Sequence, residues 1–405
     1  MKILLAHKYF QYNGGADVFF FETGRVLEEN GHKVAYFSTS AENNLPTKYA
    51  QYFIKAPQFK NVGVLNKIKS FVKIPYNFDA KRKFEKLVND FKPDVIHVFN
   101  IITQISPSIL DVARKKGIPI VISCNDYKHI CPNYKLFHHG KICEDCKGGR
   151  FYKTITNKCC HDSLLISTAS AVESYVHSLL NVYRKNIQLF LFASDFMAYK
   201  TMEFWGDNSF KWSKLLNPFK IPDLIKTETV GEYGLYFGRL IDEKGVDVLI
   251  EALKYCSDIP FKIVGDGPDL EKLQKEVEIN NLDKVEFTGA IWGVELNEII
   301  AKSRFVVIPS IWHENFPYVV LQAFAQAKPV IGTNRGGLPE LISENRGLIY
   351  KADNPQELAD KIKILYNDGA LCQRLGQNSR SFIIDNFNDN NFYTQLINNY
   401  KKVIK

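Results

Sequence analysis

Two short stretches hold the residues best suited to handling an anionic ligand. In "FGRLIDEKG", Arg239 and Lys244 share one loop; in "HENFPYVVLQ", Glu314 precedes Gln322 by eight residues. A guanidinium and an ammonium beside the start of a helix make a clamp for a diphosphate, because both cations and the first-turn amides favour negative charge. The plainer alternative is a pair of surface charges. Glu314 brings a carboxylate, which accepts hydrogen bonds with the help of its charge. Gln322 offers one acceptor oxygen and a donor group, without charge. Glycines recur where backbone could approach such a ligand: Gly14 and Gly15 in "NGGAD", and Gly265 beside Asp266 in "IVGDGP". Each is also compatible with an ordinary turn after a strand.

The elements that would position these residues follow a strand, helix, strand rhythm. "KILLA" leads to a helix from about Ala16 to Asn30, then "KVAYFS", and later "PDVIHV", a helix and "IPIVIS". Short fully apolar runs alternating with amphipathic segments indicate α/β domains with parallel sheets covered on both faces. The rhythm breaks at "KLLNPFKIPDLIKTETVGE" and restarts with "YGLYFG", "FKIVG", "KVEFTG", "RFVVIP" and "PVIGT", which places a domain boundary near residues 217 to 231. Arg239, Lys244 and Glu314 therefore lie at the carboxyl ends of parallel strands, where such sheets bind ligands. Pro317 fits the first position of a helix reaching roughly to Ala327, with Asn315 and Phe316 just before it and the amides of Tyr318 and Val319 in its first turn. The last segment, "NNFYTQLINNYKKVIK", reads as a helix that packs back on the first domain.

Two segments interrupt the rhythm. Residues 60 to 92 carry nine Lys or Arg among Val64, Leu65, Ile68, Phe71 and Val72. Such a segment suits an anionic membrane surface, or equally a solvated helix over the sheet. Five of the eight cysteines fall between Cys131 and Cys160. Cys131, Cys143, Cys146 and Cys159 have a spacing that would supply four thiolates to a structural zinc; packed, reduced thiols are the alternative. Cys124 reads as core.

The chain of 405 residues suits two domains, and its 24% charged and 45% apolar composition suits a globular enzyme. A formal charge of +8 favours anionic partners without choosing among them. The N-terminus "MKILLAHKYF" is too short in apolar residues for a signal peptide, and no eighteen apolar residues run together, so the expectation is a cytoplasmic protein.

In this order and spacing, "GGAD", "FGRLIDEKG", "IVGDGP", "VEFTGA" and "HENFPYVVLQAFAQAKPVIGTNRGGLPELI" resemble the retaining glycosyltransferases of family 4 (glycosyl transferases group 1) over essentially the whole chain. The resemblance implies the GT-B fold, two facing Rossmann-like domains with a cleft between them. The acceptor-side domain would be residues 1–216 plus 390–405, with the cysteine-rich insert at 131–161, and the nucleotide-sugar-binding domain 217–389. It further implies that Arg239 and Lys244 hold the diphosphate of a nucleotide sugar, that Glu314 contacts the donor sugar and that Gln322 contacts the ribose. Gly14, Gly15, Gly238, Gly265, Asp266, Gly289, Asn315, Phe316, Tyr318 and Val319 would complete the donor site, with Asn125 and Asp126 on the acceptor side. The implied reaction is hexosyl transfer with same-face attack by an acceptor hydroxyl, without a metal or other catalytic cofactor. Family habit points to a cell-envelope saccharide such as lipopolysaccharide or capsule, in some cases lipid-linked and met at the inner membrane face, and not to nucleic acid.

Two residues depart from the family pattern. Asn125 stands where many members have an acceptor-side histidine, and Asn cannot take a proton at neutral pH. Gln322 replaces a glutamate, and the lost charge assistance costs about 1 to 2 kcal/mol of donor affinity. These departures keep open a non-catalytic homologue that binds a nucleotide sugar or a partner glycosyltransferase. A sugar-nucleotide epimerase on the same fold is a second alternative.

Overall fold

A computed structural model describes residues 1–56, 75–101, 104–206, 208–225 and 231–404. Two compact units emerge, one of residues 1–136, 143–218 and 389–405, the other of residues 137–142 and 219–388. Each is an α/β unit around one six-stranded parallel sheet, the fold class expected from the strand and helix rhythm.

In the first unit the strand order across the sheet is Trp212–Lys214, Leu189–Phe192, Ile120–Cys124, Val95–Val98, Lys2–Ala6, Lys33–Phe37. Alternation along the strands divides their side chains between the two faces. Leu4, Ala6, Ile96, Val98, Ile120 and Ile122 join one buried cluster, while Ile3, Leu5, Val95, Val121, Leu189 and Leu191 join the other. The second cluster is covered by the helix Gly15–Glu29 and by the C-terminal helix Asp389–Lys401, which contributes Phe392, Leu396, Ile397 and Tyr400. The hydroxyl of Tyr400 bonds His97 Nδ1 at 2.8 Å, and His97 Nε2 bonds Ser123 Oγ at 2.9 Å. Burial pushes the His97 imidazole down to about 3, so it stays neutral.

Of the basic segment 60 to 92, residues 60–74 lie outside the described residues. The remainder forms the helix Phe78–Phe91, capped by Asn77 Oδ1, which accepts from the amides of Asp79 and Ala80 at 3.1 Å. This helix buries Ala80, Phe84, Leu87 and Val88 against the first cluster, so here the lysines are the solvated side of a core helix. Among the described residues, no helix is long and apolar enough to cross a membrane.

The second unit orders its strands Val285–Gly289, Phe261–Val264, Gly234–Phe237, Phe305–Ile308, Val330–Thr333, Gly347–Tyr350. Its central strands are fully buried and, Thr333 apart, without polar residues other than the ring hydroxyl of Tyr236, as suits strands covered on both faces. This arrangement puts the loops after Phe237, Val264 and Ile308 side by side at one edge of the sheet.

Candidate donor-binding site

The loops at the carboxyl edge of the second sheet are held together by backbone contacts that demand glycine. Gly238 N donates to Val264 O at 3.0 Å, Gly265 N to Gly289 O at 2.8 Å and Leu240 N to Asp266 O at 2.9 Å. A Cβ on Gly265 would fall 1.9 Å from Gly238 O, and Gly265 sits at φ +156°. Gly245 has φ +64°, and a Cβ there would reach Pro309 O at 2.3 Å. The loop carrying Arg239 and Lys244 is thus pressed against both neighbouring loops.

That packing brings Lys244 and Glu314, 70 residues apart in sequence, into one ion pair with Nζ to Oε1 at 2.6 Å. Ser310 Oγ donates to the same oxygen at 2.8 Å. Glu314 is 4% exposed. Burial would push its carboxyl up, but the charge and hydrogen bond of Lys244, with help from Ser310, hold it below the usual glutamate value. The Glu314 backbone is fixed as well, since Gly337 N donates to Glu314 O at 2.6 Å and Gly336, at φ +61°, leaves no room for a Cβ against it. Lys244 Nζ also lies 5.5 Å from the centre of the Trp312 ring.

Arg239 is exposed, and no carboxylate among the described residues pairs with it. Asp266 is exposed too, with Oδ1 accepting from Gly267 N at 2.7 Å. Asn315 and Phe316 are buried beside Glu314. The helix that follows runs Tyr318–Ala325. Pro317 is its cap, in extended conformation, instead of its first helical residue, and the helix stops two residues before Ala327, which adopts φ +53°. Tyr318 and Val319 provide first-turn amides at the positive end of this helix. Gln322 sits one turn in, half-buried. A cavity of ≈560 Å³ opens next to Glu314 in the chain, lined by His313, Asn334, Arg335, Lys351, Ala352, Asp353 and Asn354. A buried carboxylate, two cations and a helix start can hold a polyhydroxyl ligand bearing a diphosphate.

The remaining expected site residues belong to the first unit. Gly14 and Gly15 open the helix Gly15–Glu29 with no neighbour within 4 Å of a Cβ on Gly14. Asn125 and Asp126 follow the strand Ile120–Cys124. Asp126 Oδ2 accepts from Asn100 Nδ2 at 3.0 Å and Oδ1 from Lys128 N at 3.0 Å. Burial raises its carboxyl, against the charges of Lys8 and Lys128.

Sequence reasoning missed a pair in this unit. His7, fully buried, bonds Asp17 Oδ1 at 2.7 Å, and Asp17 Oδ2 accepts from Asn13 N at 2.9 Å, so the pair pins the glycine turn to the end of the first strand. Burial keeps the His7 ring below its ordinary value despite Asp17. The signal was the Asp of "GGAD", ten residues after a histidine that directly follows a strand.

The cysteine-rich insert does not assemble the expected zinc ligands. Among the described residues, no group of three or more His, Cys, Asp or Glu is placed to hold a metal ion. Cys131 Sγ instead donates to Asn133 Oδ1 at 2.9 Å, and Cys146 Sγ bonds Thr154 Oγ1 at 3.4 Å. Burial pushes the Cys131 thiol up to about 12. Cys131, Cys143, Cys146 and Cys159 are free thiols, and Cys124 is core.

Comparison with known proteins places both units among glycosyltransferase domains. Residues 13–194 match the glycosyltransferase family 4 domain, and residues 226–382 match the glycosyl transferases group 1 domain. An uncharacterized glycosyltransferase of Methanocaldococcus jannaschii is 26% identical over 94% of this chain and 93% of its own. A 42.6 kDa protein from the cps region of Klebsiella pneumoniae is 25% identical over 91% and 96%. Among solved structures, HepE of Anabaena in complex with UDP superposes with a TM-score of 0.65 at 16% identity, over 99% of this chain and 100% of that one. The two parallel-sheet units are those of the GT-B fold.

Proposed function

We propose, from the premise that the chain carries a family 4 glycosyltransferase domain followed by a glycosyl transferases group 1 domain, that it moves a sugar from a nucleoside diphosphate sugar to a saccharide hydroxyl with retention of anomeric configuration. The observation that carries this reading is the Lys244–Glu314 pair at 2.6 Å beside the start of the helix Tyr318–Ala325. A likeness to HepE, whose structure holds UDP, makes a uridine nucleotide the first base to test. Relatedness to a protein of a cps region supports a cell-envelope acceptor.

The chemistry follows from where charge develops. As the glycosidic bond breaks, negative charge grows on the departing diphosphate, and stabilising it is the main catalytic demand. Lys244, Arg239 and the first-turn amides of Tyr318 and Val319 supply that stabilisation, so no divalent metal is needed. Glu314 aims the Lys244 ammonium and presents its carboxylate to the donor sugar, while Gln322 accepts a ribose hydroxyl. The acceptor hydroxyl attacks from the face the diphosphate leaves, and the departing phosphate takes its proton. Asn125 and Asp126 bind the acceptor without acting as base.

The test is incubation of the purified protein with a panel of nucleotide sugars and cell-envelope saccharides. Transfer that persists with a chelator, and a product whose anomeric proton coupling matches the donor, are expected. An inverted product overturns the retaining mechanism. Donor binding without turnover on any acceptor supports a binding protein instead, and a new nucleotide sugar formed from donor alone marks an epimerase.

A further inference from the structure

The helix Leu164–Leu179 is built inside out. Its inward residues are small or polar: Ser167, Ala171, Glu173 and His177 are buried. Glu173, 1% exposed, pairs with Lys128 Nζ at 2.9 Å, and His177 Nε2 donates to Pro75 O at 3.0 Å. Its outward residues are large and apolar. Leu164, Leu165, Val172, Tyr175 and Leu179 are exposed, Leu179 at 87% and Leu165 at 60%. At 100° per residue these five fall in one stripe about 100° wide, the width of a face that a surface helix normally turns inward. The helix exposes no charged side chain at all; its single ionisable acid is the buried Glu173.

The stripe continues on either side. Leu180 is exposed directly after the helix. The short helix Tyr152–Thr156 packs alongside, with Tyr152 N donating to Tyr175 Oη at 3.1 Å and the Phe151 and Tyr175 rings 5.2 Å apart. Tyr152 is exposed, and Lys153 Nζ lies 5.6 Å from its ring centre. The flanking charge is mostly positive, with Asp162 as the one exposed acid. Between Lys147 and Lys185 the chain has six Lys or Arg and two acids, and one of those acids is Glu173, turned inward against Lys128. Arg150, Lys158 and Lys185 are exposed.

We propose that this face of the helix Leu164–Leu179, with the adjoining helix Tyr152–Thr156, is a docking surface for an anionic lipid bilayer. A convex leucine stripe with tyrosines at its edge and lysines and arginine around it matches the demands of the bilayer interface. Apolar side chains enter the acyl boundary, aromatic rings sit at headgroup depth, and cations meet lipid phosphates. The polar inward face has partners inside the unit: Lys128 Nζ pairs with Glu173 Oε2 and donates to Pro132 O, and His177 donates to Pro75 O, while the apolar residues are left for the membrane. This inference is independent of the transfer chemistry, since it concerns a surface that takes no part in binding the donor.

Sedimentation of the full-length protein with phosphatidylcholine vesicles, with and without phosphatidylglycerol, tests it. Binding to the anionic vesicles that falls about tenfold or more in the Leu165→Asp/Leu179→Asp variant is expected, because each leucine contributes apolar burial worth roughly that factor. Arg150→Ala/Lys158→Ala should weaken binding and flatten its salt dependence. Both positions are solvent-facing, so the variants fold, and an unchanged circular dichroism spectrum checks it. No binding to either vesicle overturns the proposal, as does equal binding to neutral and anionic vesicles or full binding by the leucine variant. Wild-type self-association abolished by the leucine variant, without vesicle binding, would make the face a contact between copies of the chain instead.

Discussion

Replacing Lys244 by methionine leaves the Glu314 carboxylate without its cation in a place where the side chain is 6% exposed. The reverse change, Glu314→Gln, leaves an ammonium whose side chain is 23% exposed and long enough to reach water. The two halves of the pair should therefore be unequal in stability. Removing one partner of a buried pair costs roughly 3 to 5 kcal/mol. Partial access to solvent and the remaining bond from Ser310 bring Lys244→Met to about 2 to 4 kcal/mol, and Glu314→Gln to about 1 kcal/mol. The effect has a pH signature. In the native protein the Glu314 carboxyl lies below its unfolded value, so its contribution is present above about pH 4.3 and lost as pH falls through the lower folded value. Without Lys244, burial dominates and the folded value rises above the unfolded one. The variant's deficit then shrinks as pH falls and the carboxyl takes a proton. Urea unfolding at about pH 7 and about pH 5, with hydrogen exchange across Phe305–Ile308 to assign the transition to this unit, reads both quantities. Equal losses in the two variants, or a Lys244→Met deficit that does not narrow at the lower pH, would refute the reasoning. Transfer should be abolished in both variants.

Gln322→Glu should tighten donor binding by about 1 to 2 kcal/mol in calorimetry, since a carboxylate accepts two ribose hydroxyls with charge assistance; no change would mean that Gln322 does not face the ribose. Arg239→Ala should lower kcat about a hundredfold with stability within about 0.5 kcal/mol, because the side chain is exposed and pairs with no carboxylate among the described residues; unchanged kcat removes it from the diphosphate clamp. Gly265→Ala should cost more than about 2 kcal/mol and weaken donor binding, because its Cβ would sit 1.9 Å from Gly238 O; a melting temperature equal to wild type would show that the three glycine loops yield easily.

The α/β class was legible because it is written in local periodicity. A strand such as "FVVI" is continuously apolar, which only a strand covered on both faces tolerates, and the glycines after Phe237 and Val264 mark where chain must turn at a sheet edge. Helix ends were less legible: Pro317 caps the helix Tyr318–Ala325 from outside because its ψ of 121° is extended. Cysteine spacing left zinc and packed thiols both open because it reports only distance along the chain. Thiol direction, set by Asn133 and Thr154, is a property of the folded insert.

The sequence by itself determined that two parallel-sheet units would present Arg239, Lys244 and Glu314 at the ends of strands, because periodicity and turn residues act over a few residues at a time. Only the tertiary structure decided that Lys244 and Glu314 share one ion pair across 70 residues, that His7 pins Asp17, and which way the helix Leu164–Leu179 faces. Its pattern of apolar residues defines a stripe but not the direction of that stripe. In the folded unit Glu173 turns inward to Lys128, which lies outside the helix, and the leucines turn to the surface.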